Sequence, residues 1–167
     1  PILWQWTARS FICAANILRA QCRTPDVSTS ASADGLWKPH NGMRLLYGLA
    51  LENLLEGLLI ANGVQPTSSG KLNKQLKTHD LAKLWKWAGL PMDVNTERIL
   101  KILRWSIVVD KYPVGTAPDP AAPSPFWVAV MDVEAIGRLM SAVEDALRAK
   151  EPVHTFEKSD LLNLCRE

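Results

Sequence analysis

Twenty consecutive residues, Leu45–Val64, read LLYGLALENLLEGLLIANGV and are nearly all apolar. A helix that apolar must be covered on most of its circumference, either by lipid or by other helices of the same protein. Three polar residues at its centre, Glu52, Asn53 and Glu56, decide between these. Each carboxylate in a bilayer core costs roughly 2.5–3.5 kcal/mol on insertion scales. The expectation is therefore no membrane span, but a buried central helix that carries polar groups into the interior of a helical bundle.

The rest of the chain supplies the partners such a helix needs. Ile2–Cys22 places Leu3, Phe11, Ala14, Ala15 and Leu18 among Arg9, Asn16 and Arg19, which reads as a helix. Arg23–Asn41 is rich in Ser, Thr, Asp and Gly and reads as a long connection, followed by Gly42 and the central helix. Gly63 suits the left-handed position that ends it. Gln65–Lys77 reads as a second loop. Thr78 is placed to cap a short helix that Gly89 and Pro91 stop near Ala88. Asn95 is placed to cap a helix with Ile99, Ile102, Leu103, Ser106 and Ile107 on one side, ended by Pro113. Gly115–Pro125 holds four prolines and is extended or turn-like. Asp132 caps the last long helix, Val133–Lys150, and Ser159–Cys165 adds a terminal helical turn. No strand pair with hairpin chemistry is visible. The fold class is all-α: one domain over 1–167, an antiparallel four-to-five-helix bundle with long polar and Pro-rich loops.

Composition excludes little. The chain is 47% apolar and 22% charged with a net charge of +2, ordinary for a globular domain and too small to demand a polyanionic partner. Cys13, Cys22 and Cys165 form no C-x-x-C pair and read as reduced thiols, with no metal or cofactor implied. Ile2–Arg23 has polar residues throughout and is no signal-peptide core, which points to the cytoplasm.

Glu52 and Glu56 fall on one stripe of the central helix, because residues four apart lie one above the other. Carboxylates on an apolar face need partners. One reading gives them Arg9, Arg19 or Arg104, or a partner subunit. The other makes Glu52 part of a polar cleft with the Thr78 and Lys111 regions. His79 and Asp80 are adjacent, so they do not face each other on a helix, and Asp80 suits the positive helix end. Trp85 and Trp87 cannot both face one core. Lys71, Lys74, Lys77, Lys83 and Lys86 accompany them, as a solvated face or as a phosphate-binding surface.

The motifs LALENLLEGLLIANG, THDL and DKYPVG, in this order over about 43–115, resemble the HEPN superfamily of small helical domains. Members pair an acidic residue in a leucine-rich helix with "HDL" and a basic residue before "YP". Carried onto this chain, the resemblance implies a binding site at Glu52, Glu56, His79, Lys111 and Tyr112. Lysine at 111 keeps the charge of the family's usual arginine but loses its bidentate phosphate geometry. Many members are dimers and metal-independent ribonucleases of toxin–antitoxin or defence systems; others bind nucleotides or have lost activity. The ribonuclease motif, Arg followed after four to six residues by His, is matched only by Arg148 and His154. Pro152 interrupts it, and Ala149 replaces the small polar residue that follows the arginine. The expectation is a dimeric, non-catalytic binding or interaction domain for a protein partner, RNA or a nucleotide. The alternative is a ribonuclease with His154 or His79 as general base or acid, Arg148 or Lys111 to stabilise the phosphorane charge, and Glu52 to orient the basic group.

Overall fold

The computed structural model describes residues 2–21, 33–109 and 133–150. They form α1 (Ile2–Gln21), α2 (Ala33–Ala61), the short strands β1 (Thr67–Ser68) and β2 (Lys71–Leu72), a 3₁₀ turn (Lys74–Leu76), α3 (Leu81–Trp87), α4 (Val94–Val109) and α5 (Val133–Arg148). The described chain is thus mostly helical, as the hydrophobic periodicity requires. Among the described residues no helix is long and apolar enough to cross a membrane.

The apolar run Leu45–Val64 lies in α2, and α2 is the hub. It packs against α1, α3, α4 and α5. Leu51, Leu54, Leu55 and Leu58 recur at steps of three and four on one side of it and are all fully buried. Fully burying one such side chain contributes roughly 1.5–3 kcal/mol. Two side-chain bonds fix its neighbours lengthwise. Tyr47 Oη donates to Asn16 Oδ1 of α1 at 2.8 Å, and Asn62 Nδ2 donates to the Ala88 carbonyl after α3 at 3.4 Å. Gly48 lets α4 approach: a Cβ there would sit 2.9 Å from Ile107 Cγ1 and 3.1 Å from the Leu103 carbonyl oxygen.

Several boundaries differ from those expected. α2 begins at Ala33, so residues 33–41 are helical rather than part of the connection. Extending an established helix costs far less than nucleating one, although Pro39, past the first turn, removes one i→i−4 hydrogen bond. At the other end Gly63 has φ 98°, with Gly63 N bonding Ile60 O and Val64 N bonding Leu59 O, the helix stop that was expected. β1 and β2 form a hairpin that the sequence did not disclose, pairing Thr67 with Leu72 and Ser68 with Lys71. Its turn residues Ser69 and Gly70 have φ 53° and 71°, the positive pair of a type I′ turn. Strands of two residues are too short to show alternation.

Two caps are also reassigned. Asp80, not Thr78, caps α3: its Oδ1 accepts from Lys83 N at 3.2 Å, while Thr78 Oγ1 accepts from Asp80 N at 3.1 Å. A carboxylate gains more than a hydroxyl from the positive helix end. Asp93, not Asn95, caps α4 by the same logic, accepting from Thr96 N at 2.6 Å. α5 ends at Arg148, with Lys150 N bonding Leu147 O as the helix tightens and stops. Asp132 and Gly115–Pro125 lie outside the described residues, as do Cys22, Cys165 and the terminal turn.

Glycine-to-alanine substitutions separate packing from propensity in this architecture. Gly48→Ala is expected to lower stability by about 1–3 kcal/mol, because the added methyl meets backbone and a buried isoleucine. Gly137→Ala, on the open face of α5 with nothing within 4 Å, is expected to raise it by about 0.5–1 kcal/mol. Urea melts of the two variants should move in opposite directions.

Candidate functional site

The polar stripe of α2 is where sequence and structure converge. Glu52 and Glu56 are both buried, one helical turn apart. Their neighbour Asn53 is satisfied within the helix, its Nδ2 donating to the Leu49 carbonyl at 2.8 Å. Glu52 instead reaches across to the bend before α3, where His79 Nδ1 lies 3.0 Å from Oε1 and 3.2 Å from Oε2. A carboxylate can only accept, so Nδ1 carries the hydrogen and Nε2 is the basic nitrogen of the neutral ring. The carboxylate side is 10% exposed and the imidazole side 46%, so a buried acid orients a histidine that meets solvent. A carboxylate holding one imidazole nitrogen is the arrangement by which proteins fix tautomer and ring direction.

The local sequence explains why His79 arrives there. Leu76 and Leu81, both buried, pin the chain on either side of the bend. Asp80 is committed to the cap of α3, and its second oxygen lies 3.8 Å from Arg104 Nη1 of α4. Arg104, one of the expected partners for Glu52 and Glu56, therefore sits on Asp80. Arg19, another, lies against Tyr47; burial raises the phenol's pKa, and Arg19 opposes that rise by charge and hydrogen bonding.

Glu56 is in a different state from an ordinary carboxylate. Burial first, and then the charge of Glu52, push its pKa up from 4.5 to about 8. At neutral pH it holds a proton, so the stripe carries one negative charge fewer than its formula suggests.

No family model matches this chain, and no curated protein or solved structure matches it. The site is accordingly read from its own geometry. Of the residues singled out, Glu52, Glu56 and His79 occupy one region between α2 and α3. Arg148 does not join them. It lies at the exposed end of α5 with its guanidinium 3.6 Å from Glu144 and 3.2 Å from Asp145. Lys111, Tyr112 and His154 lie outside the described residues. Among the described residues no group of three His, Cys, Asp or Glu side chains could hold a metal ion.

The segment that carries His79 is also rich in lysine. Lys71, Lys74, Lys77, Lys83 and Lys86 are all exposed, on the hairpin, the 3₁₀ turn and α3. Trp85 is buried, its Nε1 donating to the Pro91 carbonyl at 2.9 Å, while Trp87 is 38% exposed. Lys83 Nζ stands 4.7 Å from the centre of the Trp87 ring. The two tryptophans divide between core and surface, as their angular separation demands.

The raised pKa of Glu56 has a stability consequence with a definite sign. The unfolded carboxyl releases its proton near pH 4.5, whereas the folded one keeps it until about pH 8. Stability from this group is whole below pH 4.5 and falls as pH rises towards 8. Allowing for solvent screening, the loss is on the order of 2 kcal/mol. Glu56→Gln is expected to remove that slope, so thermal melts at pH 5 and pH 8.5 should lie closer together in the variant than in the parent.

Proposed function

We propose that this protein is a HEPN-like domain, an antiparallel helical bundle that works as a cytoplasmic dimer and binds RNA without cleaving it. A nucleotide or a protein partner is the neighbouring ligand class. The observation that carries the reading is the lysine cover over residues 65–88. It holds five lysines and one aspartate, a net +4 against +2 for the whole chain, so the remainder is slightly acidic. Exposed lysines attract phosphates by releasing counterions, and an exposed tryptophan offers a face for a base. His79 of the dyad lies in the same segment and meets solvent, which supports that segment as the ligand side.

The second reading, a metal-independent ribonuclease, draws on the same dyad. His79 Nε2 would accept the proton of a 2′-hydroxyl, and Arg104 or Lys111 would stabilise the phosphorane charge. In the motif the family resemblance supplies, the guanidinium of Arg148 is turned to Glu144 and Asp145 on its own helix. That favours binding over cleavage.

Incubation with mixed structured RNAs in EDTA separates the two. The expected result is intact RNA on a denaturing gel and a native-gel shift that weakens steeply with salt. Replacing Lys74, Lys77 and Lys86 with glutamate should weaken that shift at least tenfold and flatten its salt dependence. Cleavage that disappears in His79→Ala or His154→Ala would establish the ribonuclease instead.

A further inference from the structure

The two ring nitrogens of His79 are used differently. Glu52 holds Nδ1, so that nitrogen carries the hydrogen and is spent inside the protein. Nε2 keeps a bare lone pair, and no group among the described residues bonds it. The backbone around the ring is fixed as well. Leu81 N donates to the His79 carbonyl at 3.1 Å, Asp80 N donates to Thr78 Oγ1 at 3.1 Å, and the flanking Leu76 and Leu81 are buried. Exposed hydroxyls and amides of the same segment, such as Ser68 and Gln75, can rotate or turn over to donate or accept. Nε2 has no such freedom. While Glu52 dictates the tautomer, this nitrogen is an acceptor and requires a donor from whatever binds there.

We infer that Nε2 of His79 accepts a hydrogen bond from a ribose 2′-hydroxyl, and that this contact makes the protein prefer RNA to DNA. Such a contact rests on the RNA-binding reading above and adds the group that sets the choice of sugar. The chemistry of the two backbones decides it. Phosphate and sugar-ring oxygens only accept, so the exposed Lys77 and Lys83, on either side of His79 in sequence, grip RNA and DNA alike. Apart from its ends, the DNA backbone has no hydrogen-bond donor. The RNA backbone has one in every nucleotide, the 2′-hydroxyl. Base amino and imino groups also donate, but they are shared by both polymers and a contact to them would not separate the two. A fixed acceptor in a lysine-rich segment is therefore matched by the backbone of RNA and left unmatched by that of DNA. Glu52 touches no ligand in this arrangement. It is a positioning residue that acts through the ring.

Fluorescence anisotropy of the full chain at one fixed salt concentration tests it, with labelled oligouridine, its 2′-deoxy form and its 2′-fluoro form as probes. The fluoro sugar keeps the ribose pucker and has no hydrogen to donate. The parent should bind oligouridine about fivefold more tightly than either analogue, the effect of one hydrogen bond. This comparison needs no variant to fold. His79→Asn keeps a donor for Glu52, because the asparagine amide reaches where Nδ1 stands, and deletes Nε2. It should bind all three probes alike. Glu52→Gln keeps the imidazole but no longer dictates its tautomer, and should shrink the preference to about twofold or less. Equal binding of the three probes by the parent, or a preference that survives His79→Asn, overturns this inference and leaves RNA binding standing. Fluoro binding as tight as that of RNA assigns the preference to sugar shape and overturns it too. A loss shared equally by oligouridine and its deoxy form in His79→Asn places the contact on a base, with the same result. Failure of the parent to bind any of the three overturns the RNA-binding reading and this contact with it.

Discussion

Everything in this molecule depends on how completely α2 is enclosed. Four helices pack against it, so any polar group it carries must be satisfied inside the protein or change its ionisation. Both outcomes occur within one turn. Glu52 keeps a partner by drawing His79 to it, and Glu56 keeps its proton. Asn53 uses the third solution, bonding back to its own helix. The bend at 77–80 is therefore more than a connection. It is the place where the chain returns to hydrogen-bond a carboxylate that the central helix cannot leave bare.

Charge and apolar surface are distributed differently along the chain. The net charge of +2 conceals a lysine-rich segment, 65–88, and a slightly acidic remainder. The exposed apolar side chains are spread more widely: Ile2, Leu3, Trp6 and Ile17 lie on α1, and Leu72, Trp87, Val94 and Val108 on β2, α3 and α4, whereas α5 exposes none of its stripe.

What the sequence made legible follows from how strong each local signal was. α5 was readable almost to the residue because its apolar period is unbroken, and Gly63 marked the end of α2 because few residues adopt that backbone angle. The start of α2 was not readable: helix 33–41 is sustained by propagation from a buried segment, not by its own composition. The caps of α3 and α4 were misplaced by two residues because Thr78 and Asp80, or Asp93 and Asn95, are both competent by type, and only geometry selects the carboxylate. The stripe of Glu52 and Glu56 was visible in the four-residue spacing, yet His79 as the partner of Glu52 was not. That contact joins residues 27 apart, and no local pattern encodes it.

The same separation carries a consequence for how the chain can close on itself. Asn16 to Tyr47 spans 31 residues, Glu52 to His79 spans 27 and Asn62 to Ala88 spans 26. Loop-closure entropy grows only with the logarithm of length, so these three closures cost nearly the same. Chain entropy gives neither flank of α2 a head start. The order in which α1 and α3 join the central helix is left to the strength of the contacts they make, and a substitution on either flank can reverse it without changing the final fold.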